Sequence, residues 1–328
     1  MKLVYNVQDK PRFGQTLVFA LQQLLAILAA TIAVPAIIGN GMSQSAALFG
    51  AGAGTLVYLL FTKFRSPAFL GSSFAFLGSM AAAFAGALTT ADKNKGFAGL
   101  IIGAAMAGLV YVVIALVVKF AGVKWISKLM PPVVIGPTVA IIGLSLAGNA
   151  IGDLTKGSVL DAAQNPVANP YLALICGLVT LFVVIICSVF GKKMAKLIPF
   201  IIGIVAGYAV AAIFTVIGIA TNNPALQIIN FAAFQNMQWI PDFTFLKAID
   251  GFKYVDAPYI ASLAVAYIPV AFVVFAEHIA DHKNLSSIIE KNLLEDPGLH
   301  RTLLGDGVGS IAGAIFGGCP NTTYGESV

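Results

Sequence analysis

The sequence predicts an all-α protein that crosses a membrane many times, and three observations carry that reading. Hydrophobic residues make up 59% of the 328-residue chain and charged residues only 10%, whereas a soluble globular domain carries roughly 25% charged residues. Apolar runs of about 20 residues, the length a helix needs to cross hydrocarbon, recur along the whole chain. The basic residues fall on alternate loops with a strong bias to one side. Composition therefore excludes an ordinary water-soluble domain, and the mean hydropathy of +0.91 agrees.

Hydropathy places helices near 15–39, 45–62, 76–90, 97–118, 131–150, 170–190, 197–221, 257–282 and 302–317. The opening stretch MKLVYNVQDKPRFG is too polar for a signal peptide, so the first helix is expected to be retained. The third segment is short, and SPAFLGSSFAF (66–76) before it reads as extended. Of the 19 basic residues, 14 fall on one set of alternate loops, among them Lys10, Arg12, Lys63, Arg65, Lys119, Lys128, Lys192, Lys283 and Arg301. Only Lys93, Lys95, Lys156, Lys247 and Lys253 fall on the other. The positive-inside rule then puts the N-terminus in the cytoplasm and the protein in the inner membrane. The net charge of +5 is thus a topology signal, and no nucleic-acid partner is expected. Cys176, Cys187 and Cys319 are scattered, with no spacing for a disulfide framework or structural zinc.

Two segments look alike. Ser66-Pro67-Ala68-Phe69-Leu70-Gly71-Ser72-Ser73-Phe74 and Cys319-Pro320-Asn321-Thr322-Thr323-Tyr324-Gly325-Glu326 each hold a proline, a hydroxyl pair and an aromatic residue near glycine. Both are poor helix formers, because proline lacks an N–H and Ser/Thr pairs favour caps and extended backbone. Non-helical backbone at membrane depth survives only where protein or a water-lined cavity satisfies it. Paired broken segments in matching halves point to a transporter's central site; the plainer reading is two loops between helices. If the repeat is real, the first copy has seven spans and the second only two plus the start of a third. The sequence then predicts a chain truncated within its second repeat.

Acidic residues lie mostly in loops. The exceptions are Glu277 and Asp281 in FAEHIADHKN (275–284), and Glu326 in the second unusual segment. Glu277 and Asp281 are four apart on one helix face, and His278 and His282 form the neighbouring stripe. Carboxylates inside a span mark a substrate or proton path; a helix end reaching toward water is the competing reading. Asp306 reads as a helix-end position or polar packing. His278 and His282 at i and i+4 could also ligate zinc. No third ligand stands at a suitable spacing, and no catalytic constellation appears, so neither a metal site nor an enzyme is expected. Gly50-Ala51-Gly52-Ala53-Gly54 reads as close helix packing.

AEH at 276–278, DPGLHR at 296–301 and PNTTYGE at 320–326, with GSSFAF at 71–76, together resemble the uracil-transporting members of the nucleobase–ascorbate transporter family. The resemblance covers essentially the whole chain. It implies two inverted seven-helix repeats, with broken third and tenth segments that contain short extended stretches. Residues 1–128 would supply core helices and 129–256 the gate helices with an outer loop. Residues 257–328 would start the second-repeat core. It implies that Glu277 and Glu326 hold the base, that backbone amides of Phe74 and Gly325 donate to ring carbonyls, and that Tyr324 lines the pocket. No cofactor is implied beyond the proton as coupling ion, and a homodimer is suggested.

Two positions depart from the family pattern. Where uracil members carry histidine four residues after the helix-eight glutamate, this chain has Asp281, followed by His282. The proton-coupling role is therefore open among Asp281, His282 and Glu277. The asparagine expected after the last glutamate is Ser327. The expected function is proton-coupled import of uracil. A purine (xanthine or urate) carrier of the same fold is the alternative, and an intramembrane metal enzyme the remote one.

Overall fold

The structure, a computed structural model, describes residues 5–123, 125–129, 131–161, 163, 165–192, 195, 199–231 and 239–325. Glu326 lies outside them. The described residues divide into two compact units: Met1–Ile142 with Ile240–Val328, and Gly143–Trp239.

The first unit contains α1 (Phe13–Ile38), α2 (Gln44–Phe61), strand β1 (Leu70–Ser72) and α3 (Leu77–Ala83), which is led in by a 3-10 turn at Phe74–Phe76. It continues with α4 (Thr90–Ala121), a short helical turn at Ile126–Leu129 and the start of α5 (Pro132–Leu154). The second unit holds the remainder of α5, then α6 (Pro170–Phe190) and α7 (Pro199–Ala220). The chain then returns to the first unit for α8 (Thr244–Gly251), α9 (Ala257–Ile289), α10 (Leu299–Gly317) and strand β2 (Asn321–Thr323).

Six helices among the described residues, α1, α2, α4, α6, α7 and α9, are long and apolar enough to cross a membrane. Their outward faces are bare of polar cover: Leu56, Leu109, Val113, Phe182, Val205 and Val265 are all exposed. In a soluble protein such surface would be untenable; against lipid it is what the solvent requires.

Among the helices that differ from the sequence expectation, α3 and α4 do so for local reasons, while α9 runs seven residues beyond the expected 282 and α8 was not expected. α4 begins seven residues early because Thr89 and Asp92 cap it reciprocally: Asp92 N–H donates to Thr89 Oγ1 (3.2 Å) and Thr89 N–H to Asp92 Oδ2 (3.0 Å). α3 stops at Ala83, well short of residue 90. Phe84 N–H turns back to Ala81 O, and the Phe84 ring packs edge-on against Phe97 and over Gly96. The apolar run AAAFAGA continues past this point, so hydropathy alone could not see the turn.

Glycine carries the packing in the first unit. α10 lies between α2 and α4, and its backbone touches theirs. A Cβ on Gly50 would stand 2.6 Å from Gly313 O, one on Gly309 2.7 Å from Gly54 O, and one on Gly108 2.8 Å from Gly307 O. In lipid, apolar side chains gain little by meeting one another, so helices associate through close van der Waals fit of small residues. Tyr267 of α9 fills the space left by Gly103 and stacks on Phe76 at 5.6 Å. In the second unit Thr215 on α7 takes up two loop donors, the N–H groups of Ile228 and Ile229, at 3.0 Å each.

Candidate functional site

The two segments singled out by their hydroxyl pairs meet. β1 and β2 pair antiparallel, with Leu70 opposite Thr323, Gly71 opposite Thr322 and Ser72 opposite Asn321. Flanking bonds lengthen the ladder: Ser73 N–H donates to Pro320 O (2.9 Å) and Tyr324 N–H to Phe69 O (3.1 Å). Three-residue strands cannot satisfy every backbone group, and neighbouring helices supply the rest. Leu70 N–H donates to Thr55 Oγ1 (3.0 Å) on α2, and Asn321 Nδ2 to Gly50 O (3.1 Å). Residues 70–73 and 319–323 are all buried.

α9 packs against β2 and against the Phe74–Phe76 turn. Its carboxylate stripe faces this crossing. Thr323 Oγ1 donates to Asp281 Oδ2 at 2.9 Å, and a Cβ on Gly325 would stand 3.4 Å from Asp281 Oδ1. Glu277, one turn earlier, is half-buried. α9 runs on to Ile289, so neither residue is at the end of the helix itself. Tyr324 lays its ring over Gly71 and donates its hydroxyl to Ser72 O (2.7 Å). Phe74 is half-buried at the start of the 3-10 turn, and Gly325 is exposed. Four of the sequence-predicted residues (Phe74, Asp281, Tyr324 and Gly325) thus gather around one strand crossing, with Glu277 one helical turn from Asp281.

The histidine stripe faces elsewhere. His278 and His282 are fully buried, with rings stacked at 4.0 Å. His278 Nδ1 meets Asp306 Oδ2 of α10 at 2.7 Å, and its Nε2 meets Thr302 Oγ1 at 3.0 Å. Thr302 Oγ1 also lies 3.1 Å from Leu299 O, and when its hydrogen goes there Nε2 of His278 is the donor to Thr302. His282 donates Nδ1–H to His278 O (2.8 Å) and leaves Nε2 to accept from Tyr58 Oη of α2 (2.7 Å). Tyr58 Oη also lies 2.7 Å from Ser66 Oγ. All four ring nitrogens are thereby engaged with protein groups, and neither ring offers one to a shared metal.

Each histidine ties α9 to a different helix, and together they fix its rotation. With that rotation Asp281, one residue before His282, reaches Thr323 of β2. Sequence reasoning missed Tyr58, Ser66 and Thr302, and it read Asp306 only as a helix-end position or polar packing. Asp306 is mid-helix, and polar packing is the correct half. A buried histidine needs a partner, so the stripe signalled that partners exist without saying where.

These features define a multi-pass membrane protein with its polar groups gathered where two extended strands cross. Residues 14–328 match the Permease family profile (Xan_ur_permease). Over 330 aligned residues the chain is 39% identical to the uracil permease of Bacillus caldolyticus, covering 100% of this chain and 68% of that protein. The uracil permease of Bacillus subtilis is 37% identical (100% and 69% covered), and that of Escherichia coli K12 is 32% identical (98% and 67%). The chain belongs to this permease family, and it is a transporter, not an enzyme.

Proposed function

We propose that the protein is a symporter that imports uracil with protons across the cytoplasmic membrane, its N-terminus in the cytoplasm. The observation that carries this reading is the packing of α9 on β2, where Asp281 accepts from Thr323 and Glu277 stands one turn earlier on the helix. Uracil presents N–H donors flanked by carbonyl acceptors. A carboxylate accepts from nitrogen while backbone amides serve the oxygens, which suits Glu277 and Glu326 as base-holding groups and the amides of Phe74 and Gly325 as donors. Tyr324, covering Gly71, forms a wall. The names of the relatives at 32–39% identity support uracil as cargo.

The two strand-bearing segments are read as equivalent elements of an inverted repeat. Antiparallel pairing supports this, since a two-fold axis through such a pair exchanges its strands. Asp281 is the proton carrier in this reading. It is half-buried at the crossing, whereas both nitrogens of His282 are engaged away from it. A protonated carboxylate can move through a low-dielectric site that its anion occupies only at high cost. A homodimer follows from the family resemblance.

The test is uptake of labelled uracil by cells lacking their own carrier and expressing the full-length gene product. Saturable uptake that collapses with the proton gradient, and that Glu277→Gln abolishes, is expected. Asp281→Asn should leave uracil binding but uncouple it from pH. Competition by xanthine as strong as by unlabelled uracil would replace this reading with the purine carrier.

A further inference from the structure

A polar cavity of about 200 Å³, apart from the strand crossing, is lined by Lys63, Arg65, Asp296, Pro297 and Arg301. It joins the end of α2 to the turn before α10. Three cations face one carboxylate. Arg65 Nη1 meets Asp296 Oδ1 at 2.8 Å, and among the described residues Lys63 and Arg301 form no ion pair. Lys119, at the end of α4, adds its field at His300 beside Arg301. The cavity therefore holds an uncompensated positive charge with guanidinium donors to spare.

The backbone makes this arrangement deliberate. α2 ends with Lys63 N–H bonded to Leu60 O (3.3 Å) and Phe64 N–H to Leu59 O (2.9 Å), the paired bonds of a Schellman stop. Lys63 takes the left-handed position at φ 54°, where glycine is the strain-free choice. The chain carries a lysine there instead, and it lines the cavity. Within one turn, Leu60 and Phe64 are 66% and 60% exposed, so the basic cavity borders bare apolar surface.

We propose that this cavity binds the phosphate group of an anionic membrane lipid on the face that the charge bias assigns to the cytoplasm. A phosphodiester offers a single negative charge and unesterified oxygens that suit arginine's fork and lysine's point charge. The apolar rim at Leu60 and Phe64 is where its acyl chains would run. A free phosphate would use the same cations but leave that rim bare.

The experiment titrates the purified, delipidated chain in detergent with phosphatidylglycerol, phosphatidylcholine or inorganic phosphate, and reads bound lipid by native mass spectrometry beside the thermal midpoint. Phosphatidylglycerol should bind and raise the midpoint while phosphatidylcholine does neither. Lys63→Gln and Arg301→Gln should each weaken phosphatidylglycerol by roughly fivefold, since a basic group near an anionic lipid contributes about 1 kcal/mol. Lys253→Gln, which removes a lysine paired with Asp250, should not. Lys63 is exposed, so its variant tests the site even if Arg301→Gln folds poorly. Equal binding of the two lipids, or undiminished binding by Lys63→Gln, would overturn the proposal. Protection by inorganic phosphate matching that by phosphatidylglycerol would also overturn the lipid assignment, in favour of a soluble anion.

Discussion

Replacing Tyr58 by phenylalanine removes one oxygen and leaves the ring's volume in place. That oxygen lies 2.7 Å from both His282 Nε2 and Ser66 Oγ, and Tyr58, His282 and Ser66 are all fully buried. Because Nδ1 of His282 donates to His278 O, its Nε2 must accept, and Tyr58 is its close donor. The variant strands that acceptor. Ser66 Oγ stands 3.5 Å from Nε2, too far to restore the bond without movement. A buried acceptor left unmet costs about 1–3 kcal/mol, and no cavity adds to it. We expect Tyr58→Phe to lose about 2 kcal/mol, read as a fall of several degrees in the thermal midpoint of the purified protein. Ser66→Ala should cost about 1 kcal/mol or less, since it leaves the Tyr58–His282 bond intact. In the double variant the losses should fall short of additive, as groups in one network do. A Tyr58→Phe midpoint indistinguishable from wild type would refute the deduced hydrogen placement on His282 and the clasp between α2 and α9 with it.

Other outcomes follow from the same geometry. Asp306→Ala should cost about 1–3 kcal/mol, because it leaves His278 Nδ1 without its buried partner; yield of folded protein and thermal midpoint both report it. Gly54→Ala should cost about 1–3 kcal/mol, since its Cβ would press on the Asn321 amide and stand 2.7 Å from Gly309 O, while Gly52→Ala, with nothing within 4 Å, should be neutral in the same assay. Asp256 caps α9 by accepting from Tyr259 N–H (3.1 Å), which with Lys95 nearby holds its carboxyl below the usual range. Its contribution should be present above about pH 4 and fade as pH falls through the lower folded value. The midpoint difference between wild type and Asp256→Ala should therefore shrink in acid.

Much of the fold was legible because lipid simplifies the code: long apolar runs must be helices, and a proline beside hydroxyl pairs must be something else. The same logic marked 66–76 and 319–326, and the family resemblance then singled out Phe74, Tyr324 and Gly325 within them. The i, i+4 spacing separated the carboxylate stripe from the histidine stripe on α9. What spacing could not supply was partnership across the fold. His278 finds Asp306 28 residues away, and His282 finds Tyr58 224 residues away; neither pairing leaves a local trace. The early stop of α3 was equally hidden, since it depends on Phe84 seating over Gly96 on another helix. Glu326, prominent in the sequence, lies outside the described residues.

The pairing of β1 with β2 also has a temporal side. Leu70 and Thr323 are opposite each other across 253 residues of chain. At roughly 5–20 residues per second of synthesis, β1 waits about 10–50 s before its partner exists. The nascent protein thus passes through a stage in which one strand of the crossing has been made and its partner has not.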